Sequence, residues 1–458
     1  MAIYTEQEAR ALLEKVLSYS QADECWVNLD GTEAGNIRYA RNTVSTAGEV
    51  SDVTLAVQSS FGKQTGTATI NEFDDASLEK VVRRSEELAR LAPENPEHMP
   101  MLGPAEYNTV DAWKESTAGM TPAKRAEMAD ASISPSKKND LVAAGFLNDT
   151  RGFSAIANHK GMFAYHKATN VDFTVTIRTE DGRGSGWVTR DFNDVDKLDT
   201  GAASAIAIQK AKGSVETKEM EPGRYTVILE PAASVTLLGN MAGAMGQRQA
   251  DEGRSFMSKK PPEGEELPEG APRNRVGEKM FDERITVWSD PLHPDVPTPA
   301  FSGEGAPVGK TVWIDKGVVK TLPNSRYWAE KTGVPHVPTP YTGGGIFGGG
   351  VQLIMEGGNA TLEEMIRDTR RGVLVTRLWY IRQLDPQTQL YTGLTRDGTF
   401  YIEDGEIKYP IKNFRFNESP IVMLNNIEEL GKPVRINGSM IPPMKIRDFT
   451  FSSLSDAV

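Results

Sequence analysis

Apolar residues recur along this chain with two periods, and the switches between them mark its elements. Thr5-Glu-Gln-Glu8 has the form of a helix-capping box, and Ala9, Leu12, Leu13, Val16 and Leu17 then fall on one helical stripe. Cys25-Trp-Val-Asn-Leu29 alternates with period two and predicts a strand, with Asp30-Gly31 as its turn. Residues 53–58 and 63–70 predict a hairpin about Phe61-Gly62. Residues 75–92 return to the helical period through Leu78, Val81, Val82, Leu88 and Leu91. Residues 1–95 thus form a first α+β unit, sandwich-like, with an antiparallel sheet and helices.

Residues 92–108 are rich in proline and lack a period, which predicts a linker. A second unit spans 109–220. Thr121-Pro122 opens its helix, with proline at the favoured first position. Short strands are predicted at 142–147, 153–157, 162–166 and 171–179, followed by an alanine-rich helix at 201–212. The third unit, 221–458, begins with a buried strand at 224–231 and an apolar helix at 232–245. Residues 254–278 are dense in Pro, Gly and Glu and predict an exposed, mobile excursion. A hairpin at 311–321, a glycine-rich loop ending at Gly343–Gly350 and a helix at 361–370 precede a long β-region. There, residues 372–379 predict a buried strand that Asp385-Pro386 ends, and Asp404-Gly405 predicts a hairpin turn. The fold class is α+β, with a C-terminal β-rich antiparallel sheet or barrel-like domain.

Bulk chemistry narrows the function. A charge of −12 argues against nucleic acid and anionic membrane as partners. The single cysteine, Cys25, excludes an internal disulfide and any zinc site that needs several thiolates. Neither a leader peptide nor an apolar run of about 18 residues is present, so the expected location is the cytoplasm. The five histidines are scattered: His98, His293 and His336 lie near prolines, and the spacing of His159 and His166 does not suit shared coordination. Gly305 to Thr311 resembles a phosphate loop but is one residue short and precedes a strand. Gly343–Gly348 fits a dinucleotide-loop pattern without its strand–turn–helix context. No serine or cysteine stands in a nucleophile context.

Val375-Thr-Arg377, Thr392 to Gly398, Ile402 to Ile407 and Asn413-Phe-Arg-Phe-Asn417 resemble the C-terminal domain of the TldD/PmbA (TldE) proteins. Similar segments occur in matching order at 61–69, 224–231, 312–318 and 362–366. The resemblance implies a zinc protease built from a catalytic TldD subunit and a TldE partner. In the catalytic chain, His-Glu-x-x-x-His on a helix and a later cysteine hold the metal. Here the three motif positions fall at Gly239, Asn240 and Ala244, and no cysteine follows Cys25. The chain is therefore expected to be a non-catalytic, TldE-like subunit that binds no cofactor alone, zinc residing on a TldD-like partner. The alternative is a stand-alone homodimeric binding or scaffold protein. Arg377, Arg382, Thr395, Arg396, Asp397 and Asn417 are the candidates to line a cleft for an extended, unfolded peptide; Arg396-Asp397 is also readable as an internal ion pair at a turn. Trp379, Tyr380, Phe400 and Tyr401 are expected in the core or an interface.

Overall fold

The computed structural model describes residues 3–261, 264–341 and 352–455. It is a mixed α+β structure. Its N-terminal half is one antiparallel sheet of six strands in the order β3-β2-β1-β4-β5-β6. The strands are β1 (Glu24–Ala40), β2 (Thr43–Phe61), β3 (Gln64–Ile70), β4 (Leu141–Asn158), β5 (Phe163–Thr179) and β6 (Ser185–Phe192). Helices α1 (Glu6–Tyr19) and α2 (Asp75–Leu91) pack at one end, and α4 (Pro122–Lys138) and α5 (Thr200–Gly213) at the other; α3 (Glu115–Ala118) is a single turn. The Thr5–Glu8 capping box forms as expected. Strand β1 pairs with β4 from Trp26↔Asn158 to Tyr39↔Gly145, so one sheet crosses the 92–108 linker.

All four long helices lie on the same sheet face. Side chains alternate along a strand, and the odd-numbered residues of β1, β4 and β5 face the helices. Cys25, Val27, Leu29, Phe153 and Ala155 join α1 and α2 in one cluster, while Ile37, Tyr39, Leu141, Phe173 and Val175 join α4 and α5 in another. Burial pushes the Cys25 thiol up to about 11, as befits a small core side chain. Between the clusters the same face is polar. Arg125 of α4 forks onto Asp149 of β4, with contacts of 2.5 and 3.0 Å, and reaches Glu49 of β2 at 2.8 Å. Arg151 donates to Glu33 at 2.6 Å. The backbone of Gly35 lies directly beneath Arg125, where a Cβ would overlap the guanidinium.

This polar waist corrects two expectations. Asp30-Gly31 does not turn; β1 passes straight through it. The short strands predicted from 142 to 179 are two long ones, β4 and β5. The polar run 148–152 resembles a turn in sequence, yet its backbone pairs in register with residues 32–36 and its charges find partners across the sheet.

In the C-terminal half, β7 (Gly223–Leu229), β12 (Arg371–Asp385), β13 (Leu390–Glu403), β15 (Phe414–Glu418) and β19 (Met444–Leu454) close a barrel in the order β12-β7-β19-β15-β13 and back to β12. Only the β7–β12 pair of this ring is parallel. Phe414, Phe416, Phe449 and Phe451 pack together within the buried core of this half. Strand β14 (Glu406–Pro410) extends β13 through the expected turn, with positive φ at both Asp404 and Gly405. Helices α6 (Pro231–Gly243) and α7 (Gln247–Asp251) follow β7. A second sheet runs β10-β9-β8-β11-β18-β17. Its strands are β8 (Val287–Ser289), β9 (Thr311–Asp315), β10 (Val318–Val319), β11 (Ile354–Met355), β17 (Val434–Ile436) and β18 (Ser439–Ile441). Helices α8 (Arg326–Thr332), α9 (Leu362–Arg367) and α10 (Pro420–Asn425), with β16 (Ile427–Leu430), complete the chain.

The excursion at 254–278 is anchored rather than free at both ends. Phe256 and Met257 enter the core, and the amides of Lys259, Arg275 and Gly277 bond to Arg273, Met257 and Val319. The Gly343–Gly350 loop lies outside the described residues. No described helix is long and apolar enough to cross a membrane.

Two measurements check these interior groups. Truncating Arg125 to alanine strands Asp149 in a site that is nearly sealed, and should cost about 3–5 kcal/mol in urea denaturation. Burial lowers His166 from 6.5 to about 4. Below pH 6.5 the unfolded chain therefore takes up a proton that the folded chain refuses, so stability falls as pH drops toward 4. That loss should approach about 3 kcal/mol in acid titrations, and His166→Gln should abolish its share.

Candidate functional site

Three of the candidate residues, Arg377, Arg396 and Asp397, gather where edge strand β6 meets the barrel. The odd-numbered side chains of β6 point away from the helices, toward the C-terminal half. Ser185 donates to Asp397 Oδ1 at 2.7 Å, and the Trp187 ring lies 4.3 Å under the Arg377 guanidinium. At the far end of β6, Asp191 accepts from Arg435 of β17 at 2.8 Å and from the Gly438 amide at 2.9 Å. Glycine at 186 lets α5 close onto the opposite face, because a Cβ there would strike the Ala207 carbonyl.

Asp397 is the centre of this seam. Its side chain is 1% exposed, and it accepts from Arg377 at 3.0 Å, with Arg178 and Arg396 each at 3.9 Å. It does not sit at a turn, as one sequence reading had it. It lies inside the β12–β13 pair at an irregularity in register, with φ of +56° at Asp397 and +122° at Gly398. Aspartate and glycine tolerate this backbone, which turns the carboxylate toward β6. Arg377 is itself largely buried; burial and the nearby Arg396 lower its affinity for its proton, and Asp397 opposes them.

The six candidates separate. Arg377, Arg396 and Asp397 share the seam. Arg382 is exposed on β12, 4.5 Å over the Tyr380 ring. Thr395 is fully buried, held by Asn413 at 3.1 Å and the Phe414 amide at 2.9 Å, so it lines no open cleft. Asn417 sits on β15 opposite Thr392, and its Oδ1 is buried without a hydrogen-bond partner. Phe400 and Tyr401 are in the core, while Trp379 and Tyr380 are outside it, at 37% and 53% exposed. A register irregularity between Trp379 and Arg382 turns them outward, and Trp379 carries Arg396 at 4.0 Å. Sequence reading missed Arg178, Ser185, Trp187, Asp191 and Arg435. Ser185 and Asp397 are 212 residues apart, and nothing in the sequence around Ser185 marks it as Asp397's partner.

On α6, Gly239 and Asn240 are exposed and Ala244 is the C-cap residue. These positions offer a zinc ion no imidazole, thiolate or carboxylate, so their donor set does not fit the metal. Among the described residues, no three of His, Cys, Asp and Glu stand together as ligands. Histidines serve other contacts: His98 faces Glu24 at 3.3 Å, His159 bonds the Leu17 carbonyl at 3.2 Å, and His293 accepts from the Asp295 amide at 3.2 Å.

The C-terminal half is thus a barrel whose strand β7 leads directly into helix α6. The chain belongs to the PmbA/TldA metallopeptidase family: residues 222–453 match its C-terminal domain and 118–215 its central domain. It is 20% identical to the metalloprotease PmbA of Escherichia coli O157:H7, over 97% of this chain and 98% of that one. A metalloprotease of Methanothermobacter thermautotrophicus is 24% identical over 306 residues, and the match spans 62% of that protein's length. The crystal structure of TldE from Thermococcus kodakarensis has the same fold, with a TM-score of 0.84 and 19% identity over 96% of this chain and all of that one.

Replacing Asp397 by alanine should leave the partly buried Arg377 guanidinium facing Arg178 and Arg396 without the acid that pairs with it. A loss of about 3–5 kcal/mol in denaturant melts is expected, the scale for removing one partner of a buried pair. Arg382→Ala, on the exposed strand, should change stability by less than about 0.5 kcal/mol in the same melts.

Proposed function

We propose that this chain is the non-catalytic subunit of a cytoplasmic metallopeptidase complex. It pairs with a zinc-bearing member of its own family and helps enclose an extended peptide. The observation that carries this reading is the side-chain chemistry of α6, where the positions of the zinc motif hold Gly239, Asn240 and Ala244. Hydrolysis at a zinc centre needs ligands and a group to activate water, and these side chains supply neither. Family membership and the succession of β7 and α6 within the matched C-terminal domain support a retained scaffold. Extended peptides bind such scaffolds as an added strand, through main-chain hydrogen bonds with little demand on sequence.

Elemental mass spectrometry on the purified chain, alone and co-expressed with a zinc-bearing homologue, tests this. The chain alone should carry no stoichiometric zinc and cleave no peptide, while the co-purified pair should carry about one zinc. Zinc-dependent cleavage by the chain alone would overturn the reading. A chain that co-purifies with no homologue would favour the homodimeric binding protein instead.

A further inference from the structure

Two aspartates face each other across the edge of the N-terminal sheet. Asp172 of β5 pairs directly with Asp191 of β6, on the sheet face turned away from the helices. Like charges set opposite each other on neighbouring strands repel. One arginine stands against them. Arg435 of β17 donates to Asp191 Oδ2 at 2.8 Å and to Asn170 at 3.3 Å, and also meets Asn193 and the Asp295 carbonyl. Asp172 instead takes its hydrogen bond from Asn170, at 2.6 Å. The other charged groups nearby are engaged or averted: the Asp295 carboxylate is on Lys197 at 3.0 Å, and Arg190 points to the helix face of β6.

Asp191 is also left short of a donor. It is 4% exposed, and its Oδ1 is buried without a hydrogen-bond partner, while Oδ2 takes Arg435 and the Gly438 amide. A buried carboxylate oxygen in this state is costly. The amide groups around it are turned to other acceptors: Asn148 to Thr150, Asn170 to Asp172, and Asn193 to the Thr169 carbonyl. No three acids, histidines or cysteines among the described residues gather there as metal ligands. A proton on Asp172 removes both defects at once, since a neutral carboxyl ends the repulsion and its O–H is a donor for Asp191 Oδ1. Asp172 keeps exposed surface through which protons reach it. Burial of the rest of the group and the neighbouring Asp191 push its carboxyl up to about 6, against Arg435 and Asn170.

We propose that Asp172 and Asp191 share one proton, and that this proton governs how firmly the second sheet docks on the N-terminal sheet. With the proton in place, both oxygens of Asp191 have partners and it holds Arg435 and the Gly438 amide. As the pair loses the proton, two anions compete for one arginine and the contact loosens. A carboxyl whose folded value lies above its unfolded 3.8 stabilises in acid, and its share is lost as pH rises through about 6. Urea denaturation of the full chain and of Asp172→Asn, whose neutral amide can donate to Asp191 at every pH, tests this. The wild-type folding constant should fall about tenfold relative to the variant between pH 5 and pH 8, with His166 acting equally on both. At pH 8, in buffer free of divalent ions, the amides of β17 and β18 should exchange with deuterium about tenfold faster in wild type than in the variant. Circular dichroism establishes that the variant is folded. Parallel pH curves, or a variant that is the less stable at pH 8, would overturn the shared proton. A pH-dependent difference with equal exchange in β17 and β18 would overturn the coupling to docking. Calcium or magnesium that brings wild type level with the variant at pH 8 would overturn the proton as the occupant and assign Asp191 Oδ1 to a metal ion.

Discussion

A charged carboxylate leaves water only when opposite charge and hydrogen bonds meet it inside, and at Asp397 they come from both halves of the molecule. Arg377 and Arg396 come from the barrel, Ser185 and Arg178 from the sheet. Neither half could bury Asp397 alone at tolerable cost. At the other end of β6, Arg435 reaches from the barrel side to Asp191 and Asn170 of the sheet. Two ionic contacts of opposite sense, an acid of the barrel among arginines and an arginine of the second sheet on Asp191, therefore fix how the edge strand sits. The seam in turn positions the exposed Trp379 and Tyr380 and the arginines beside them.

The same logic runs through the N-terminal sheet. Its helices cover one face in two patches, and the strip between them holds Glu33, Glu49, Asp149, Arg125 and Arg151 in mutual ion pairs. A continuous apolar face would pack more tightly, whereas this waist ties β1, β2, β4 and α4 together in one register. Strands as long as β1 and β4 gain from this, since a one-residue slip would send every one of these charges to the wrong face.

Helix α6 carries the functional argument in a different way. Its buried stripe, Leu237, Leu238 and Met241, packs into the barrel-side core as any amphipathic helix does. Gly239 and Asn240 face outward, where packing imposes no demand. The scaffold can keep this helix whether or not its outer face holds a metal, because the residues that seat it are not those that would do chemistry. That separation is how a fold outlives an activity, and it underlies the proposed non-catalytic role.

What the sequence determined by itself was local. The capping box at Thr5, the proline-opened helix at Thr121 and the Asp404-Gly405 turn rest on interactions within a few residues, and all appear in the structure; the β-rich, barrel-like character of the C-terminal half was legible as well. The family was legible too, through motifs in matching order. What only the tertiary structure decided was where polar residues go. Asp30-Gly31 and residues 148–152 look like turns because solvent is the usual partner of such residues, but here the neighbouring strand and α4 supply the partners. Arg178, Ser185 and Arg435 carry no signal in one sequence, since their partners lie far along the chain and their meeting depends on how β6 docks. For Trp379 and Tyr380 the sequence left core and interface both open, and an irregularity in strand pairing that no local pattern encodes turns them out of the core.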